Sequence, residues 1–376
     1  MFAGLPAYGH LYPMLPLASA LHEAGHGVLV ATGTPFLAGL PVPTALGMAP
    51  GITLADLEEE TRRRNPEIAA ISDEVDRGKA FAAAMLGKVT PRAVYPVLLE
   101  LLARERPDLV VHETMNVSAA TAAHRLGIPS YGFGLMRWFP FLVTWHELAA
   151  ETVGLGNLET GEFRGGYLDT MPASLQDTDA PSALWQPLRP VPWTPTGDLP
   201  AVLARKPVRP RIYLTLGTVF HGAVDVLRLA VTEAAARDVD VVVSVGPLGD
   251  VESLGEPPPN VHTARFVPQN TVLGAVDLVV HHGGSGTMLG ALTHGLPQLL
   301  LPQGSDQFFN GEALEKAGAG RSLRAGCYGP GDIGEAIDFL LPSNAPERAA
   351  ARRLGDEIAA MPGPAAVADL LVGELS

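Results

Sequence analysis

Apolar positions along the chain alternate between short unbroken runs and stretches of helical spacing. Phe2–Leu5 is an apolar run that reads as a strand, closed by the turn Pro6-Ala7-Tyr8-Gly9-His10. Leu11, Met14, Leu15, Ala18 and Leu21 then recur at the spacing of one helix face, and Gly25 is placed to end that helix. Pro13 and Pro16 fall in its first turn, where a missing N–H costs little. Val28–Ala31 reads as the next strand, and the spacing from about Asp56 to Arg106 is helical, ending in Val94, Val97, Leu98, Leu101 and Leu102. Pro107 and Asp108 lead into a strand over Leu109–Val111. Asn116 caps an Ala-rich helix that stops at Gly127, and Ile128–Phe133 resumes as strand. One member of the series is missing: Gly33–Gly51 is rich in Pro and Gly where a strand is expected.

Between about Gln186 and Pro210 prolines recur without periodicity, which reads as a linker. The alternation then restarts, with strands over Ile212–Leu216, Val241–Val245, Leu278–His281 and Gln298–Leu301 and a helix over about Ala223–Ala236. No fixed-period repeat is visible. Two αβ halves around a linker predict an α/β protein of two doubly wound parallel-sheet domains. The domains are expected at 1–186 and 211–344, with the linker at 187–210 and closing helices at 345–376. In such sheets ligands bind beyond the carboxyl ends of the strands.

Composition narrows the function. The 376 residues are 47% hydrophobic, enough for real cores and against disorder. Forty acidic against 26 basic side chains give a formal charge of -14, which argues against nucleic acid and anionic membrane surfaces as partners. A single cysteine, Cys327, excludes an intrachain disulfide and a cysteine-based zinc site, and a cytoplasmic setting fits best. No run of about 18 apolar residues is long enough to span a membrane.

The densest chemical signal lies at 277–295. A buried strand, Leu278–His281, runs into the turn His282-Gly283-Gly284-Ser285-Gly286-Thr287, which opens a helix. Free N–H groups and the positive end of the helix dipole then converge on one spot, which suits a phosphate. The Thr287 hydroxyl and the His282 imidazole can add donors. The spacing is GxGxxxG rather than the dinucleotide GxGxxG, there is no GK(S/T), and the closing glycine of a nucleophile elbow is missing. Downstream, Asp306 and Gln307 stand at another strand-to-helix turn; upstream, Phe266 precedes a Pro turn at Pro268 and Gln269. An aromatic platform, phosphate donors and an acid–amide pair for hydroxyls are the parts of a nucleotide-sugar site.

These ordered motifs resemble a known family. Phe266-x-Pro268-Gln269, His282 to Thr287, Gly295-x-Pro297 and Asp306-Gln307 are similar to the signature of inverting glycosyltransferases of the GT-B fold. The bacterial branch that glycosylates antibiotics and other natural products, including the calicheamicin enzymes, is the nearest. Gly9-His10-x-x-Pro13 with Leu17-Ala18, and Gly127-Ile128-Pro129, extend the resemblance to the N-terminal half. It implies two Rossmann-like domains facing across a cleft, with the last helices crossing back onto the first. It implies that Phe266, Val267 and Gln269 hold the nucleotide base. His282, Gly284, Ser285, Gly286 and Thr287, with Gly217 and Thr218, would hold the diphosphate, and Asp306 and Gln307 the sugar hydroxyls. Plant members carry a ribose-binding glutamate where this chain has Gly290, which favours 2′-deoxyribose and so a TDP-sugar.

Transfer to a hydroxyl needs a base, and His10, at the first strand-to-helix turn, is well matched to that task. Glu113, after the strand Leu109–Val111, is the carboxylate expected to orient it, in competition with the adjacent His112. An apolar aglycone is expected in the N-terminal half, among Phe81, Met85, Met115, Met136, Trp138, Phe139 and Trp145. No cofactor and no metal are expected beyond the TDP-sugar co-substrate. Asp177-x-Asp179 and Asp238-x-Asp240 have the DxD form but fall in a Pro-flanked loop and just before a strand. The other functions weighed are a nucleotide-sugar epimerase of the same fold and a non-catalytic nucleotide-binding partner. On the protein side, a homodimer is left open.

Overall fold

A computed structural model describes residues 1–42, 44–47, 52–155, 165–176, 185–193, 197–217, 224–246 and 250–375. The chain divides into two units. One comprises Met1–Met171, Asp177–Leu188 and Pro362–Ser376; the other comprises Pro172–Gln176 and Arg189–Met361. The expectation that 345–376 crosses over as one piece is corrected here, because the helix Pro346–Ala360 stays with the second unit.

The first unit is built on seven strands: β1 (Phe2–Ala3), β2 (Leu29–Thr32), β3 (Thr44–Gly47), β4 (Val110–Glu113), β5 (Ser130–Gly134), β6 (Gly165–Asp169) and β7 (Trp185–Pro187). They lie in the order β3-β2-β1-β4-β5-β6-β7, and every pairing is parallel. The strand that local composition did not show is therefore β3. It is a four-residue edge strand, registered Leu29 to Thr44 on β2, inside the Pro- and Gly-rich stretch.

One face of this sheet packs Ala3, Ala31 and Val110 against Val94, Leu98, Leu101 and Leu102 of the helix Thr90–Glu105 and the alanines of Val117–Arg125. The broad helical region seen in the sequence is broken in the structure. Leu54–Arg64, Glu74–Ala84 and Thr90–Glu105 are α-helical, with a π-helical turn at Met85–Val89. That turn hugs the helix Phe141–Thr152: a Cβ on Gly87 would lie 2.6 Å from Leu148 Cβ, and Thr152 Oγ1 donates to the Gly87 carbonyl at 2.9 Å.

The second unit holds β8 (Arg211–Thr215), β9 (Asp240–Ser244), β10 (Val261–Ala264), β11 (Leu278–His281), β12 (Gln298–Leu300) and β13 (Gly320–Ser322). The order β10-β9-β8-β11-β12-β13 is again all parallel. Ile212, Leu214, Val241, Val243, Leu278, Val280 and Leu299 are buried in one core with the helices Val224–Ala235 and Asp332–Leu340. Runs of β-branched and leucine residues without polar alternation are what a sheet covered on both faces requires. Asp277, just before β11, is pinned from both sides: its Oδ2 accepts the Arg211 N–H at 2.9 Å, and its carbonyl accepts from Arg348 at 2.8 Å. The strand that leads into the glycine turn is thus fixed at its start.

In both units the strand order reverses between the first and fourth strands, β1/β4 and β8/β11. That is where a doubly wound sheet opens a crevice at its carboxyl edge.

Candidate functional site

At the β1/β4 reversal, His10 lies in the helix Tyr8–Leu11 and Glu113 ends β4. His10 Nδ1 is 3.2 Å from Glu113 Oε1. The Glu113 side chain is fully buried, and its Oε2 accepts the Met115 N–H at 2.7 Å. A carboxylate only accepts, so in the neutral imidazole Nδ1 carries the hydrogen and Nε2 keeps the lone pair. His112 does not compete for this role. As the neighbour of Glu113 on a strand it points to the other face, where its ring lies 6.2 Å from that of His146. Its Nδ1 is 3.2 Å from the Glu113 carbonyl oxygen.

At the β8/β11 reversal, the turn after β11 opens the helix Ser285–Thr293, with Gly284 as N-cap. His281 locks the turn from below: its Nδ1 accepts the Gly283 N–H at 3.0 Å, and its Nε2 faces Gln298 Oε1 at 2.8 Å. His282 is enclosed by two glycines. A Cβ on Gly217, where φ is +80°, would lie 2.6 Å from its Cε1, and one on Gly284 would run into its Nε2. No larger residue fits at either place without moving the imidazole. Burial lowers the His282 pKa to about 4, opposed by the Thr215 backbone, so at neutral pH the ring is uncharged. Thr218 lies outside the described residues.

The other expected donor-site residues fall around this turn. Thr287 Oγ1 accepts from Gln269 Nε2 at 3.0 Å, and Gly286 is exposed at the helix start. Phe266 is half-buried, while the Val267 side chain is taken up in the core with Val272, Leu273 and Val276. Asp306 Oδ2 accepts from Ser285 Oγ at 2.9 Å and from Asn310 Nδ2 at 2.8 Å. Gln307 Oε1 accepts the backbone N–H of Gln303 at 2.7 Å and of Gly304 at 3.2 Å, bracing the loop before Asp306. In that loop Ser305 has φ of +58°, an uncommon conformation for a residue with a Cβ. Asn310 is absent from the residues expected from sequence, although its place four residues after Asp306 puts both on one helix face.

The apolar residues expected to hold an acceptor divide. Met85, Met115, Trp138 and Trp145 meet in one cluster with Leu5, Leu142 and Phe141. Phe139 stacks on Phe141 with centroids 6.1 Å apart, whereas Phe81 lies under Arg62 at 5.4 Å. Met136 is buried outside the cluster. Trp185 is a further aromatic that the sequence did not single out: it lies 6.4 Å from Trp138 and 4.8 Å from Tyr167, extending the aromatic surface. Of the two DxD segments, Asp177 and Asp179 lie outside the described residues, and Asp240 is buried against Arg209 at 2.9 Å. Among the described residues no cluster of His, Cys, Asp and Glu could hold a metal ion, and no helix is long and apolar enough to cross a membrane.

Three further histidines join His282 in having pKa values lowered by burial, and the four predict an acid-sensitive fold. Burial lowers His112 to about 4. It lowers His146 to about 3, with the neighbouring His112 adding to the effect, and His281 to about 3, with His282 adding. An unfolded chain protonates these rings near pH 6.5, well before the folded one does. Their contribution is therefore complete above about pH 6.5 and is lost as pH falls towards 4, on the order of 1 kcal/mol per pH unit for each ring. The melting temperature should drop between about pH 7.5 and pH 5, and an unchanged value would refute this.

Residues 228–373 match the family described as erythromycin biosynthesis protein CIII-like, C-terminal domain. Across its whole length the chain is 36% identical to an L-demethylnoviosyl transferase of Streptomyces niveus, covering 97% of that protein. It is 33% identical to elloramycin glycosyltransferase ElmGT of Streptomyces olivaceus, over 96% of this chain and 94% of the relative. The glycosyltransferase SnogD from Streptomyces nogalater superposes with a TM-score of 0.80 at 30% identity, over 100% of this chain and 98% of that one. Spinosyn rhamnosyltransferase SpnG, in its complex with thymidine diphosphate, superposes with a TM-score of 0.82 at 27% identity, over 99% of each chain. With whole-length relatives of this kind and two parallel sheets of matching order, the chain belongs to the GT-B glycosyltransferases of antibiotic pathways.

Proposed function

We propose that the enzyme moves a sugar from a TDP-sugar to a hydroxyl of an apolar natural-product aglycone, with inversion and with His10 as the base. The observation that carries this reading is the His10–Glu113 pair. The carboxylate is buried, held by the Met115 N–H, and 3.2 Å from the ring nitrogen it must orient. In the forward direction His10 Nε2 takes the acceptor proton as the oxygen attacks the anomeric carbon, and Glu113 stabilises the resulting imidazolium. The donor sugar's hydroxyls fall to Asp306 and Gln307. The departing TDP is met by the N–H groups that open the helix Ser285–Thr293, with His282 at the turn before them, so the leaving charge is spread without a cationic side chain.

Two features support TDP as the nucleotide. SpnG, 27% identical, has been solved with thymidine diphosphate. At Gly290 the chain offers no side chain to a 2′-hydroxyl, and a Cβ there would meet Leu273 at 3.1 Å and Pro192 at 3.5 Å. An apolar acceptor is supported by the cluster of Met85, Met115, Trp138 and Trp145, in the same unit as His10.

The reverse reaction tests the reading and requires neither substrate to be identified in advance. TDP incubated with a library of glycosylated metabolites should release an aglycone and a TDP-sugar of opposite anomeric configuration, read by mass spectrometry and NMR. UDP should drive the same release about tenfold more slowly, the scale of one unsatisfied hydroxyl. Equal rates with UDP would remove the role given to Gly290, and retained configuration would remove direct displacement.

A further inference from the structure

The hydroxyl of Ser285 does not face the phosphate side of its own helix start. It donates to Asp306 Oδ2 at 2.9 Å. As the first residue of the helix, Ser285 still has a backbone N–H without an intrahelical partner. Its side chain and main chain therefore serve two places. Asn310 closes the arrangement from the next helix, Gln307–Lys316. It is fully buried, and its Nδ2 lies 2.8 Å from the Gly283 carbonyl, 2.9 Å from Ser285 Oγ and 2.8 Å from Asp306 Oδ2. The same residue leaves Oδ1 buried without a hydrogen-bond partner among the described residues. An unsatisfied amide oxygen is a cost that packing alone would not retain.

We infer that Ser285 and Asn310 are positioning residues that tie the glycine turn to the Asp306 carboxylate, so that diphosphate and sugar are held in one register. The inference rests on the proposed role of Asp306 in holding the donor sugar. The β11–β12 pairing holds the two strand ends side by side, and the Ser285 and Asn310 side chains carry that spacing on into the turns that leave them. A transfer reaction gains from having its leaving group and its anomeric carbon placed by one rigid unit.

Calorimetry with TDP and with TDP-glucose separates the roles. Ser285→Ala should weaken TDP-glucose about tenfold, the scale of one hydrogen bond to a carboxylate, and TDP less than about twofold. Ser285→Thr, which keeps the hydroxyl, should restore TDP-glucose binding. Asn310→Leu, which removes the donor to Asp306 and to the Gly283 carbonyl, should show the Ser285→Ala pattern with a lowered melting temperature. In an Asp306→Ala background, Ser285→Ala should add less than about twofold, because its target is gone. Parallel weakening of TDP, wild-type binding of both ligands, or additive losses in the double variant would each overturn the inference. If Asp306→Ala alone leaves TDP-glucose binding intact, the sugar role of Asp306 is what fails. A weakened Asp306→Ala beside a wild-type Ser285→Ala removes only the positioning role.

Discussion

His10→Ala should slow sugar transfer by about 10²–10⁴-fold while TDP binding changes less than about twofold. The separation follows from where the groups lie. His10 and its partner Glu113 belong to the first unit, and the turn of His282 to Thr287 belongs to the second, each with its own core. On the proposed mechanism, removing the imidazole takes away the group that accepts the acceptor proton in transfer and returns it in the reverse reaction. The TDP-driven release of aglycone must therefore fall by the same factor. The measurement is that release rate beside a calorimetric TDP titration. A wild-type rate would remove His10 from the mechanism, and a parallel loss of TDP affinity would show that the variant damages more than the base.

Glu113→Gln should cost a comparable factor, about 10²–10⁴-fold, with little change in shape. The buried carboxylate accepts the Met115 N–H with one oxygen and faces His10 Nδ1 with the other. A glutamine must keep its oxygen towards Met115, so its NH₂ turns towards Nδ1. That nitrogen then becomes an acceptor, and the imidazole hydrogen moves to Nε2, the atom that should take a proton. The stabilisation of the imidazolium by a negative charge is lost as well. TDP affinity should be unaffected. A Glu113→Gln enzyme with the wild-type rate and pH profile would show that the carboxylate is structural only.

Some of this was legible from the sequence for a definite reason. A strand buried on both faces must be an apolar run, and a helix on a sheet must repeat its apolar positions every three or four residues, so the βα alternation appears directly in the residue order. Leu278–His281 is a strand with the expected bounds, and the glycine turn that opens a helix follows it directly. The edge strand β3 was not legible, because its four residues sit among prolines and glycines and are too few to show a period of their own. Trp185 and Asn310 were not legible either, because each acts through a partner far along the chain. Trp185 meets Tyr167 across the β6–β7 pair, and Asn310 reaches back to Gly283.

Residue order alone thus determines the kind of chemistry present: a histidine at one strand-to-helix turn, a phosphate-shaped glycine turn at another, and parallel sheets to carry them. Those depend on local spacing, which the chain states outright. The partnerships depend on folding. His10 and Glu113 are 103 residues apart, and only the β1–β4 pairing brings them within 3.2 Å. The same pairing turns His112, one residue away, to the opposite face. Ser285 likewise reads as a phosphate ligand in its motif, and only the placement of β12 beside β11 gives its hydroxyl to Asp306. A side chain's direction is set by the register between distant segments, and no local pattern encodes that register.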